Sequence, residues 1–390
     1  MDALSPEFDR LLQLVVEHIS IPKSLYEKAA ARHRSLGEFL KRDESGIKKY
    51  DPDIRPQGSF RFGTVNRPLN ADDEYDLDNV CVLTRLGKAD LTQKQLKQLY
   101  GEEIKAYARE RGMLAPVHEH NRCWRLQYAD DLNFHLDSLP CVPELEAVIL
   151  RLVDAGVPEE LAGRAVAITD LRHPQYEAIA LTWLSSNPRG FARWFEQRAA
   201  LGRSLMTRNK SVQATVEDVP PYEWKTTLQG SIQILKRHRD VMFQETPDLA
   251  PISMIITNLA ARAYEGEVTI AEAIANVLDK MPMFIQNNRP RVSNPADPAE
   301  DYADKWASNP RLEKNFWEWY YAAKSDLSRL ASELDRFSLS REVANVFAVT
   351  LTQSELRSLQ GNVPARVSAV ARAAPTLVIP SAPKPWSDHA

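Results

Sequence analysis

The sequence predicts an α+β fold, with a mixed sheet in the first half, a helical lobe after it and a cleft between the two. Three observations carry this. Apolar and β-branched runs of strand length lie at residues 77–83 and around Phe134, Leu136 and Leu139. Beyond about residue 150 the apolar residues recur at helical spacing, as in Ile252, Ile255, Ile256, Leu259, Ala260, Ala263 and Tyr264 after Pro251. The chain of 390 residues is long enough for two lobes sharing an interface, and it has no internal repeat.

The elements follow in order. Ser5-Pro6-Glu7 starts a first helix, with Ser as cap and Pro in the first turn, and Phe8, Leu11, Leu12, Val15 and Ile19 follow on one face. A second helix is expected over about 24–41, strands around 75–84, 122–128 and 132–138, and a helix near 91–111. Leu228, Ile232, Leu235 and Arg239 mark a further helix. From Asn362 onward five prolines and many alanines read as an extended tail. The expected organisation is N-terminal helices over 1–50, a sheet core with connecting helices over 51–210, a helical lobe over 211–361 and a flexible tail over 362–390.

One stretch carries chemistry. Gln57-Gly58-Ser59 precedes Tyr75-Asp76-Leu77-Asp78, and a third carboxylate, Asp137, lies in the strand-like segment Phe134-His135-Leu136-Asp137. Side chains two apart on a strand share a face, so Asp76 and Asp78 project together. Two close carboxylates repel unless divalent cations sit between them. Gly58 lets the backbone approach phosphate oxygens, and Ser59 adds a hydroxyl donor. Two carboxylates on one strand and a third on its neighbour form the metal cluster of two-metal phosphoryl transfer, with two Mg²⁺ or Mn²⁺ as the ions.

Composition narrows the class. The three cysteines, Cys81, Cys123 and Cys141, have no C-x-x-C spacing and read as reduced thiols. The N-terminus lacks a basic-then-apolar leader, and no apolar run approaches a membrane span, so a cytoplasmic enzyme without a membrane partner is expected. His118, His120 and Cys123 could imitate a metal site, but a solvated loop before a strand is the plainer reading. Net charge is −4 with no positive block, so no long nucleic acid is expected as partner.

Several motifs together resemble a known family. Gln57-Gly58-Ser59 through Thr64, Asn66-Arg67-Pro68, Asp76-Leu77-Asp78 and Leu136-Asp137 are similar to those of the cyclic GMP-AMP synthase/DncV-like nucleotidyltransferases (CD-NTases) of bacterial CBASS anti-phage systems. The resemblance continues through Trp183–Pro188, Ile234–Asp240, Pro251-Ile252-Ser253 and Asn294-Pro295 to Ala303-Asp304-Lys305-Trp306. It implies a polymerase-β-like nucleotidyltransferase lobe and a cyclic di- or trinucleotide second-messenger synthase acting on NTPs, ATP among them, with pyrophosphate release. By the same resemblance Lys236 reaches donor triphosphate oxygens with Ser253 beside it, while Arg237 and His238 fit a solvated basic face. Asp304 reads as a further polar contact or as a cap of the lobe interface. Of the alternating Phe60 and Phe62, Phe62 is expected in the cleft, where the family tends to place an aromatic that stacks on a base. Some members are conjugated through a small C-terminal residue by an E1–E2-like protein, which would make Ala390 the site, and some respond to a HORMA-type activator; a cyclic-nucleotide effector would lie downstream. Two rivals stand: a linear oligonucleotide or RNA nucleotidyltransferase, disfavoured by the charge, and a catalytically silent nucleotide sensor, disfavoured by the complete carboxylate triad.

Overall fold

The computed structural model describes residues 5–70, 73–128, 134–202, 225–332 and 336–359. Helices α1 (Pro6–Ile19) and α2 (Lys23–Leu40) lead to strand β1 (Pro52–Gln57), the short helix α3 (Gly58–Phe62), β2 (Tyr75–Leu83) and α4 (Gln93–Glu110). Then come β3 (His118–Glu119), β4 (Trp124–Tyr128), β5 (Phe134–Pro143), α5 (Glu146–Asp154), α6 (Glu159–Ala162), β6 (Val166–Ile168), β7 (Leu184–Ser186) and α7 (Pro188–Ala199). The rest is mainly helical: α8 (Thr227–Met242), α9 (Ser253–Ala263), α10 (Ile270–Lys280), the hairpin β8 (Ser293–Asn294) and β9 (Asp297–Asp301), then α11 (Pro310–Ser332), α12 (Arg336–Phe347) and α13 (Gln353–Ser358).

The sheet is mixed. Its strands run in the order β1-β2-β5-β4-β3, with β6 and β7 continuing from the end of β5. β2 and β5 are parallel, whereas β1 with β2 and β4 with β5 are antiparallel. The α+β class and the strands expected around 75–84, 122–128 and 132–138 are found with small shifts at their ends. β1 was not legible beforehand, because Pro52 and Pro56 argue against a central strand. It pairs on one side only, with β2, as an edge strand carrying proline must.

Two cores separate the halves. α2, α4 and one sheet face close around Tyr100, Ile104, Trp124, Phe134 and Leu136. The second core gathers α8, α9, α10 and α11, and it takes in α1 and α7 as well. α1 is capped by Ser5, whose Oγ accepts from the Phe8 amide at 3.1 Å, and its apolar face points at this helical core. α8 opens with a reciprocal capping box between Thr226 and Gln229.

Candidate active site

The site begins with a register. In the parallel pair, Asp76 stands opposite His135 and Asp78 opposite Asp137. Alternation puts all four side chains on one face, while Leu77 and Leu136 between them are buried on the other. The carboxylates therefore share a shelf because two strands lie in one particular alignment; a slip of one residue would turn them into the core.

Gly58 closes the shelf from the side. It opens α3 at φ +61°, and a Cβ built there would overlap the Asp78 carboxylate. Only glycine combines this backbone conformation with so close an approach. Gln57, Gly58, Ser59, Asp76 and Asp78 all line one cleft of about 1010 Å³ between sheet and helices. The Gln57 Nε2 amide there is buried without a hydrogen-bond partner among the described residues, a donor suited to an anionic ligand.

The three carboxylates differ in their neighbours. Asp137 is held by Arg125 across the sheet, Nε to Oδ1 and Nη2 to Oδ2, both at 2.7 Å. It stands beside Asp78 in register rather than on the cleft lining itself. Asp76, about half exposed, meets His135 Nε2 at 3.0 Å, and His135 Nδ1 meets Glu74 at 2.9 Å. Burial works against the charged imidazole, but its contacts with Asp76 and Asp137 outweigh this and raise the His135 pKa. Asp78 has no ion-pair partner among the described residues. Burial, followed by the charges of Asp76 and Asp137, pushes its pKa up to about 8.

That imbalance is what a divalent cation would relieve. Ligand atoms of Asp76, His135 and Asp137 lie within 4.8 Å of one another. Oxygen donors suit Mg²⁺ or Mn²⁺, and Asp78 with Asp76 and Asp137 supplies them in register. With both ring nitrogens engaged by carboxylates, His135 orients Asp76 from behind. The sequence reading missed this histidine, although its position two residues before Asp137 places it on the same face.

The opposite wall is helical. Along α8, Gln229, Gln233, Lys236 and Arg237 donate to the backbone carbonyls of Phe62, Val65, Thr64 and Arg67 respectively. These bonds stitch α8 to the loop that follows α3. Lys236 lines the cleft and donates to Thr64 O at 2.9 Å. Burial, helped by Arg239, lowers its pKa to about 8. Ser253, the first residue of α9, also lines the cleft, and its Oγ accepts from Arg239 at 2.6 Å.

Three expectations need correction. Arg237 and His238 are not a solvated face: both are 3% exposed, Arg237 on the Arg67 carbonyl and His238 on Asp326 at 3.1 Å. Phe62 reaches the cleft wall, but it is 7% exposed and packs on Phe191 and Phe195, so it shores up the wall instead of offering a free stacking surface. Asp304 is exposed and lies outside the cleft lining, which removes its reading as a polar contact there and leaves only that of a cap; Trp306 in the same turn takes the inward position. Ala390 and the tail lie outside the described residues.

Comparison with known proteins agrees with this geometry. Residues 52–141 match the nucleotidyltransferase domain described as cyclic GMP-AMP synthase DncV-like. A c-di-GMP synthase from Roseivirga ehrenbergii is 28% identical over 314 residues, covering 80% of this chain and 76% of that protein. The cyclic dinucleotide synthase CdnG of Bradyrhizobium diazoefficiens is 23% identical over 325 residues, covering 78% of this chain and 71% of that one. Its structure in complex with GTP superposes with a TM-score of 0.61 at 20% identity, over 91% of this chain and 98% of that chain. The apo structure of Vibrio cholerae DncV gives 0.54 at 15% identity, over 90% and 86%. With the mixed sheet, the helical lobe and the carboxylate shelf in place, residues 52–141 match the DncV-like nucleotidyltransferase domain, and the chain as a whole is similar in sequence and fold to cyclic dinucleotide synthases.

Proposed function

We propose that this enzyme joins two nucleoside triphosphates into a cyclic dinucleotide second messenger, with guanine nucleotides as preferred substrates, and that it acts in the cytoplasm in anti-phage defence. The observation that carries the reading is the pairing of Asp78 with Asp137 and of Asp76 with His135 across β2 and β5, facing a cleft edged by Gly58 and Ser59. The cleft of about 1010 Å³ is at the upper end of small-molecule sites, which run to roughly 1,000 Å³, as two nucleotides require. The guanine preference is supported by the c-di-GMP synthase relative and by the GTP complex of CdnG.

Asp76, Asp78 and Asp137 would hold two Mg²⁺, or Mn²⁺ in their place, which supply charge neutralisation at the triphosphate and activation of the acceptor hydroxyl. Gln57 and Ser59 donate to phosphate oxygens, and Lys236 neutralises the polyphosphate from the helical wall. Asp137 orients the acceptor ribose hydroxyl for in-line attack on the α-phosphate, and pyrophosphate leaves. The linear product then turns in the cleft for the closing step. Catalysis is mainly positioning and electrostatics.

The net charge of −4 weighs against a polynucleotide substrate. Incubation with labelled ATP, GTP, CTP and UTP, singly and together, followed by phosphatase digestion and chromatography, tests the reading. A phosphatase-resistant product containing guanine is expected; products that all keep digestible ends would overturn cyclisation. As regulation we propose that an E1–E2-like partner joins the enzyme through Ala390. Deletion of 383–390 should then abolish a gel shift with that partner while synthesis continues; an undiminished shift would refute the site.

A further inference from the structure

Several carboxylates besides Asp76 and Asp78 line the cleft, and among them Glu300 is held on both oxygens by neutral donors alone. Glu300, on β9, lines the same cleft as Asp76 and Asp78, together with Ser186, Phe191 and Tyr302. Its two oxygens each accept one neutral donor: Oε1 from Ser186 Oγ at 3.1 Å, and Oε2 from Asn294 Nδ2 at 2.6 Å. Asn294 is 1% exposed, so the carboxyl is fixed from behind. No ion pair to Glu300 exists among the described residues. Burial raises its pKa, as it must for a carboxyl with so little countercharge. A carboxylate oxygen accepts at two lone-pair sites, so each retains one after Ser186 and Asn294 are served.

We propose that Glu300 is the base-reading residue of the cleft and selects guanine. The inference rests on the nucleotide-binding reading above and adds to it the residue that makes the choice. A carboxylate is a fork of two acceptors that matches two parallel N–H donors. Guanine alone among the four bases presents two adjacent donors on its pairing edge, N1–H and the N2 amine. Adenine and cytosine each set one amine beside a ring acceptor, and uracil flanks one donor with two acceptors. A carboxylate therefore satisfies guanine and leaves an acceptor facing an acceptor with the others, an unpaired arrangement that is costly away from water. Two residues further on, Tyr302 meets Phe191 edge-on at 5.9 Å, and both line the cleft, so an aromatic surface adjoins the carboxylate.

The test uses the full-length enzyme with GTP, ATP and inosine triphosphate, which lacks the N2 amine. Both kcat/KM and calorimetric Kd are measured for the wild type and for Glu300→Gln, whose amide offers one acceptor and one donor and so matches adenine. The wild type should prefer GTP over ATP and lose about 10-fold with inosine triphosphate. Glu300→Gln should shift the GTP-to-ATP ratio toward ATP by about 10- to 100-fold, the range for a bidentate base contact, and should no longer distinguish GTP from inosine triphosphate. A merely structural role would lower both substrates together. An unchanged ratio in the variant, or equal use of GTP and inosine triphosphate by the wild type, overturns the assignment. The inosine comparison needs no variant, so it decides even if Glu300→Gln does not fold. Absence of product from every triphosphate would defeat the synthase reading instead, and the Kd ratios would still decide this one.

Discussion

The two walls of the cleft are built on opposite principles. The sheet wall gathers negative charge that the protein does not fully neutralise: Asp76, Asp78 and Asp137 share one face, with His135 and Arg125 as partial counterweights. The helical wall gathers positive charge and polar donors, and ties most of them to carbonyls of the 62–67 loop. On the proposed reading one wall serves cations and chemistry, and the other serves the polyphosphate and holds the lobes together. Changes on the sheet wall should strike kcat, and changes on the helical wall should strike binding.

The largest effect is expected from Asp76→Asn with Asp78→Asn. Losing charge stabilisation of several kcal/mol should cost about a thousandfold or more in kcat, with little change in melting temperature. Gly58→Ala comes next. Its Cβ would have to displace Asp78, and the positive φ adds roughly 1–2 kcal/mol of backbone strain. Turnover should fall by about 100-fold, with a modest drop in melting temperature, measured by steady-state kinetics and calorimetry. Lys236→Ala should raise KM for triphosphate by about 10-fold, in keeping with roughly 1.5 kcal/mol for a charged hydrogen bond, and Ser59→Ala by less. Unchanged triphosphate affinity in Lys236→Ala would remove that residue from the site.

The walls should also separate by pH. Asp78, raised to about 8, stays largely protonated below that value in the metal-free protein. The folded state then binds more protons than the unfolded one from the ordinary carboxylate range up to about 8. Metal-free stability therefore falls as pH rises through that window. Metal binding should release a proton there. Lys236, lowered to about 8, loses its charge as pH rises past that value, so triphosphate affinity should weaken above it and binding should take up a proton. Calorimetry in buffers of different ionisation enthalpy reads both signs, and Lys236→Ala should abolish the second.

The smallest effect tests Phe62. As a packing residue on Phe191 and Phe195, Phe62→Leu should lose about 1 kcal/mol of stability and change KM less than about threefold. A large KM effect at unchanged stability would restore it as a base-stacking residue.

The same contrast explains what the sequence made legible. The carboxylate shelf follows from a period of two on two strands, so Asp76, Asp78 and Asp137 could be placed before any coordinates. On α8, Arg237 reads from sequence as part of a solvated basic face, yet it and residues 229, 233 and 236 all find partners in main-chain carbonyls from a distant loop, which carry no side-chain signal. Arg237 was misread for that reason, and His238 because its partner, the Asp326 side chain, lies far along the chain on α11. Phe62 was misplaced because α3 is a helix where alternation was assumed, so Phe60 and Phe62 enter different cores instead of opposite environments. Glu300 carried no signal at all, since β9 is short and reads as an acidic loop.

The central claim is that chemistry resides on the sheet wall and triphosphate affinity on the helical wall. Single-turnover rates and triphosphate Kd, measured side by side for Asp78→Asn and Lys236→Ala, test it most directly. The account predicts that Asp78→Asn slows the chemical step by about a thousandfold while triphosphate still binds within about 10-fold of the wild type, and that Lys236→Ala weakens binding while bound substrate reacts at nearly the normal rate. The reverse pattern, with Asp78→Asn reacting normally once bound or Lys236→Ala binding normally but failing to react, would contradict it.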